Sequence, residues 1–438
     1  MPTRATLFLL VLPKVPATNM SDDLPEPSDE DEQGPDPTDP FSQIPMFGDL
    51  FKLFSNQSSP DWSGARQMAI TIASGGESQP NVDPLERIAY EELLRIAELQ
   101  IVNATGLTIS SGGSALSLEV ITRTEWASRT IDTYRPIFER LTESLSANQA
   151  PIDTADPSAA FLGPIMAMMG PMMLNVTAGS MVGHLAQRSL GTYDLPIPRD
   201  DGDTLVVVGE NVEEFRDEWS IDVDDMRLWV CLNEVAHHAV FRIPHVRSRL
   251  LELLGDHASG FNPNPTALED KMRNVELTGD MSGIQDLFGD PEVVLGAVQS
   301  DIQRAILPQI SALVAAIEGY ADYIMDSVGS GLIGSYQMLS EAQRRRRVEA
   351  DQSDRFVEQL LGLELTQEQY DMGSKFIAGL VERGGDDVLV RLWESTDTLP
   401  TPAEIAAPGL WLARVAGESS EELTMPEIEI PDDLSGLD

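Results

Sequence analysis

Cysteine is almost absent from this chain: of 438 residues only Cys231 is one. An intramolecular disulfide is therefore excluded, and a reducing compartment suits such usage best. Basic residues are scarce as well, 29 against 72 acidic ones, for a net charge of −43. So negative a surface repels phosphate backbones and anionic lipid, which argues against nucleic acid and membrane surfaces as partners. It favours solubility and basic partners, although a generally acidic, solvated surface explains it equally. Long apolar runs are missing too. Leu7 to Leu12 is followed by Lys14 with no small-residue cleavage site, and Phe161 to Leu174 is broken by Pro164, Gly170 and Pro171. The second run is too short and too interrupted to span a bilayer. Residues 1–19 read as an over-extended start or a disordered tail rather than an export signal, and a cytoplasmic protein is expected.

The acidic excess is uneven. Residues 21–40 hold nine acids and no base, and residues 417–438 hold eight acids and no base; without those 17 the remainder is still at −26. Three regions follow: an acidic, disordered stretch over 1–60 with an apolar segment at 41–54, an ordered domain over 61–416, and a disordered acidic tail over 417–438. The apolar segment, Phe41 to Phe54, suits a short amphipathic helix that docks on the body or on a partner.

Within the ordered part the period is helical. Asp61 is expected to cap a helix through Trp62 and Ile72. Asn81-Val-Asp83-Pro84 opens a second, with Leu85, Ile88, Ala89, Leu93, Ile96, Ala97 and Ile101 at helical spacing. A third begins at Thr122 to Trp126, and Met166 to Leu190 is a methionine-rich stretch of core filler. Thr204-Leu-Val-Val-Val208, between Gly202 and Gly209, is the only convincing strand. A long helix starting near Asp222 or Asp224 is apolar around most of its circumference and should be buried. Helical patterning returns over 291–328, 353–361 and 367–383. Thr398 to Pro402 reads as an exposed turn, with a last short helix over 408–415.

The buried helix carries Trp229-Val-Cys-Leu-Asn233-Glu234-Val-Ala-His237-His238. Asn233 and His237 stand one turn apart on one face, with Glu234 beside them. This is the geometry of His-Glu-x-x-His, in which two histidines bind zinc and the glutamate activates the metal-bound water. Here the first histidine is Asn233. A Glu-x-x-His on a buried helix is equally accounted for by a structural glutamate–histidine pair.

Seven segments, in order along the chain, carry a family resemblance: Asp61 to Arg66, Arg123 to Trp126, Leu190-Gly-Thr-Tyr-Asp194, Trp229 to His238, Glu318-Gly-Tyr-Ala-Asp322, Gln369-Tyr370, and Leu399 through Val415. Over residues 60–416 the chain resembles a bacterial, notably actinobacterial, zincin-like family labelled zinc-dependent metalloproteases or proposed hydrolases. One branch of it is labelled as associated with biosynthesis of a deazaflavin cofactor. The resemblance implies a mainly α (α+β) fold, a zincin-like helical body with a small β element before the motif helix. It also implies a site: Glu234 as the catalytic acid–base, His237 and Glu318 as metal ligands, and Asn233 at the lost ligand position. Asp322 would orient a ligand histidine from behind. Tyr320 stands where the family more often has histidine, its hydroxyl placed to polarise a carbonyl. His238 lies about 100° around the helix from His237 and does not replace it as a ligand.

Zinc requires three good protein ligands, and an asparagine amide is a poor one. Zinc, the family's cofactor, should therefore be weak or absent here. Glu234 would then become a structural acid, paired with His238 or an arginine. Three functions remain open: a metallopeptidase-like protein that binds a peptide or protein without cleaving it, a working metallohydrolase that tolerates Asn233, and a helical scaffold or regulator. His184, His245 and His257 read as structural, surface or capping histidines. The run Arg344 to Arg347 is expected to fold onto the protein's own carboxylates or face solvent. Cys231 reads as a buried small hydrophobe, and the Ser-Gly-Gly segments at 74–77 and 111–114 read as turns.

Overall fold

The computed structural model describes residues 62–147, 175–261, 300–348 and 357–421, apart from 78, 80, 111–114, 200, 201, 359 and 364. All of them fall within the unit Ser59–Asp438. The expectations for Asp61, for the 1–60 and 41–54 segments, for 166–174 of the methionine-rich stretch, for the Ser-Gly-Gly turn at 111–114, for the helical patterning at 291–299 and 353–356 and for the tail beyond 421 lie outside these residues.

In chain order the elements are α1 (Ser63–Ala73), α2 (Pro84–Thr105), β1 (Ser117–Ile121), α3 (Arg123–Ala147), α4 (residues 175–186) and β2 (Thr204–Val208). Then follow α5 (Gly209–Trp219), α6 (Val223–Phe241), α7 (Pro244–Ser259), α8 (Asp301–Leu332), α9 (Tyr336–Val348) and α10 (Gln367–Gly384). Short α11 (Val388–Arg391) and α12 (Pro402–Ala406) lead into α13 (Pro408–Glu421), which runs past the expected tail boundary at 417. The class is mainly helical with a small β element, as expected.

Local chemistry sets the helix ends. Asp83 accepts the Leu85 N–H at 2.9 Å, Pro84 fills the first turn, and Gly106 closes α2 at φ 68°. Asp222 accepts the N–H groups of Asp224 and Asp225 at 2.9 and 3.3 Å, and both of those acids face the positive end of the α6 dipole. Losing such a cap costs about 1 kcal/mol. Ser300 and Gln303 form a reciprocal capping box at the start of α8. Of the apolar residues at helical spacing on α2, Ala97 and Ile101 are buried beside Tyr90 and Leu94, whereas Leu85, Ile88 and Ile96 are exposed.

A second strand accompanies the expected one. β1 pairs in parallel with β2, Ser117 opposite Thr204 through Ile121 opposite Val208. Gly191 bridges antiparallel to Val207 on the other edge of β2, and the Leu190 carbonyl accepts the Val208 N–H at 2.9 Å. The loop 189–194 thus lies along the sheet and over α6.

α6 is the central helix, with 14 of its 19 residues buried, and it packs against α2 and α8. α8 runs along α10. At their crossing a Cβ on Gly319 would lie 2.3 Å from the Gly373 carbonyl carbon, and one on Gly373 would lie 2.1 Å from the Ala315 carbonyl oxygen. The two backbones touch, which only glycine permits. Thr398 is buried rather than exposed, and its carbonyl accepts the Trp411 indole N–H at 2.6 Å. His257 is also buried, edge-on to Phe261.

Candidate functional site

α6 and α8 bring together two residues separated by 81 positions. His237 Nε2 lies 3.2 Å from Glu318 Oε1, and His237 Nδ1 lies 2.9 Å from the Asn233 carbonyl one turn back. Both side chains are buried. Burial pushes the imidazole toward its neutral form, but the Glu318 charge and hydrogen bond, with the Asn233 carbonyl, outweigh it and raise His237 to about 9. At neutral pH it is an imidazolium whose two N–H groups are both engaged. Asn233 itself is half-buried on the same face.

The other Glu318 oxygen faces Arg347. Its guanidinium stands 3.7 Å from Glu318 Oε2 and makes two bonds, 2.9 and 3.0 Å, to the Asp322 carboxylate. It also lies 4.0 Å above the Tyr370 ring. Asp322, expected to steady a histidine, therefore holds an arginine. Tyr320, two positions from Glu318 and so on another side of α8, packs edge-on against Trp393 at 5.3 Å. Its hydroxyl serves that packing and not the His237 face.

Glu234 turns the other way, toward the loop over β2. Its carboxylate accepts the backbone N–H of Thr192 at 2.8 Å and that of Tyr193 at 3.2 Å. These partners replace the expected His238 or arginine. Burial, with the Asp194 charge nearby, raises Glu234 to about 7, against the opposing pull of His237 and the two amides. A Cβ on Gly191 would come within 2.5 Å of this carboxyl group, so glycine is what lets the loop approach. Tyr193 lies across the histidines: it stacks on His237 with ring centres 6.1 Å apart, and its hydroxyl meets His238 Nδ1 at 3.0 Å. The loop is pinned by the Trp126 indole on the Gly191 carbonyl at 2.8 Å and by Arg346 on Asp194 at 2.9 Å.

Tyr193 and Tyr370 had no role from the sequence, whereas Arg347 folds onto the protein's own carboxylates, Asp322 and Glu318, as one of the two expectations for its run had it. The arginine run divides in three ways: Arg344 and Arg345 share the half-exposed Glu341, Arg346 ties the 188–194 loop, and Arg347 enters the Glu318 cluster. Beside Arg347 opens a cleft of about 200 Å³.

Zinc would need a third ligand next to His237 and Glu318. The residue at that position offers an amide, a poor ligand for zinc, and a guanidinium stands 3.7 Å from Glu318. Among the described residues no group of three or more His, Cys, Asp or Glu side chains is arranged to hold a metal ion. Nor, among these residues, is any helix long and apolar enough to cross a membrane.

Comparison with known proteins sets this geometry in a lineage. No curated protein matches the chain. It is similar in structure to a proposed hydrolase with a novel fold from Chloroflexus aurantiacus, at 25% identity and a TM-score of 0.59, over 81% of this chain and 98% of that one. The model of the zincin-like metallopeptidase family matches residues 61–412, a span that takes in α6, α8 and α10. With most of its length matched, the chain belongs to the zincin-like metallopeptidase family.

Proposed function

We propose that this chain is a metallopeptidase-like protein in which an internal charge cluster stands in for the zinc centre, and that it acts by binding a peptide or protein partner rather than by hydrolysis. The observation that carries this reading is the position of Arg347. Glu318 has one oxygen at 3.2 Å from His237 and the other at 3.7 Å from Arg347, so its charge is balanced from both sides by the protein itself. A cation brought to Glu318 would meet the fixed positive charge of Arg347 at close range. Glu234 supports the same conclusion, because a general base must reach the proton it removes and its carboxylate is engaged by two backbone amides. The buried cysteine and the acidic composition suit the cytoplasm.

Metal analysis of the purified full-length protein tests the reading. Zinc well below one ion per chain is expected, and about one tightly held ion per chain would overturn it. N233H should raise zinc uptake, and N233H combined with R347M should raise it further by removing the competing charge. A second reading, a working metallohydrolase, draws on one observation. The 3.2 Å approach of His237 to Glu318 is close to the ~3.3 Å between two ligands at about 2.0–2.1 Å on a tetrahedral ion. Zinc-dependent peptide hydrolysis by the unaltered chain would establish it.

A further inference from the structure

We infer that the cleft beside Arg347 is a binding site for a peptide residue with a basic side chain, an inference that rests on the binding function proposed above. The cleft lies among α6, α8, α9 and α10 and has a volume of about 200 Å³. That is below the roughly 300 Å³ at the small end of drug-sized sites, so it has room for one residue rather than a long segment.

Two unpartnered polar atoms define what that residue must offer. Gln343 lines the cleft, is only 7% exposed, and its amide nitrogen has no hydrogen-bond partner among the described residues. Gln367 lines the same cleft, and its buried amide oxygen likewise has none. Buried polar groups are usually hydrogen-bonded, and a ligand entering the cleft can supply both of these with a partner. One needs an acceptor and the other a donor. A carboxylate would satisfy only Gln343, and an ammonium only Gln367. A peptide unit carries both a carbonyl and an N–H.

Charge selects the side chain. Within the cleft Arg347 is already committed to Asp322, and Arg344 to Glu341. Two carboxylates at the exposed mouth have only neutral partners among the described residues: Asp326 accepts the Tyr336 hydroxyl at 2.7 Å, and Asp371 accepts the Gln367 amide at 2.7 Å. Trp229 and Tyr370 line the cleft as aromatic walls against which an aliphatic stem can pack. The net charge of −43 draws cations toward the molecule.

The test is calorimetric titration of the full-length protein with N-acetyl-lysine N-methylamide and N-acetyl-arginine N-methylamide. The comparison ligands are the norleucine analogue, the glutamate analogue and n-butylamine. The two basic amides should bind saturably, the norleucine analogue at least about fivefold more weakly, and the glutamate analogue and butylamine not measurably. D326N should weaken the lysine compound about fivefold and leave the norleucine compound unchanged. Q343M should weaken both by about tenfold. Should Q343M fail to fold, the surface variant D326N still decides the charge requirement. Equal binding of lysine and norleucine compounds overturns the basic side chain, equal binding of butylamine overturns the peptide unit, and no binding by any ligand overturns the site. Zinc content measured on the same sample separates the two claims. A zinc-rich protein refutes the loss of the metal centre whatever binds in the cleft, whereas absence of binding in a zinc-poor protein refutes this inference alone.

Discussion

The two sides of α6 hold their carboxylates by different means. On the sheet side Glu234 is held by neutral dipoles, two backbone N–H groups of the 189–194 loop, and its proton affinity rises to about 7. On the α8 side Glu318 is held by cations, the His237 imidazolium and the Arg347 guanidinium. Neutral donors satisfy hydrogen bonds without cancelling charge, so burial dominates on the first side. On the second, opposite charge dominates and lifts the imidazole. α6 thus meets both solutions within a single turn, through its own Glu234 on one side and through His237, which faces Glu318 of α8, on the other.

The largest effect is expected where charge has been paired in the interior. Glu318→Ala leaves His237 and Arg347 without their shared counter-ion, and should cost on the order of 3–5 kcal/mol in urea unfolding. A loss below about 1 kcal/mol would show that the cluster is not coupled as its distances imply. On the dipole side, Gly191→Ala drives a methyl group into the Glu234 carboxyl and should cost about 1–3 kcal/mol, read in the same assay.

Proton dependence distinguishes the two sides by window. His237 has its usual value of 6.5 when unfolded and about 9 when folded. Its contribution is complete below pH 6.5 and disappears as pH rises through about 9, a change on the order of 1–3 kcal/mol. Glu234, raised from 4.5 to about 7, loses its contribution in the same direction but over the lower range, between about 4.5 and 7. The stability difference between the wild-type protein and His237→Gln should therefore shrink between pH 6 and pH 9.5. That for Glu234→Gln should change mainly below pH 7. Coincident windows would mean that the two sides titrate as one unit. The smallest effect is expected at Arg344→Ala, which removes an exposed pair with Glu341 and should move the melting temperature by no more than about a degree.

These contrasts explain what could be read in advance. Asp83 and Asp222 cap their helices because an aspartate before a helical run has a local partner two or three residues on. β2 was evident from its β-branched run between glycines. β1 was not, because five residues directly before α3 look like the approach to a helix. Periodicity found the helical character of α2 but not that Leu85, Ile88 and Ile96 stay exposed, since an apolar residue at helical spacing does not say which side is covered. Asn233 and His237 on one face follow from the helix itself. The approach of Glu318 across 81 residues does not, and it was expected only through family resemblance. The partners of Glu234 are backbone amides, which leave no mark in residue identity. Arg347 was hidden among identical neighbours, where only helix phase assigns each a direction.

The contact between Gly319 and Gly373 has a mechanical consequence. Side-chain interfaces deform, because rotamers can adjust to a small shift. Here main chain meets main chain, so α8 and α10 act as one rigid bracket. Glu318 and Asp322 are fixed to one arm and Tyr370 to the other. Drift in surrounding side chains therefore leaves their separation unchanged, and the charge cluster and the adjoining cleft keep a common frame while the chemistry mounted on it varies.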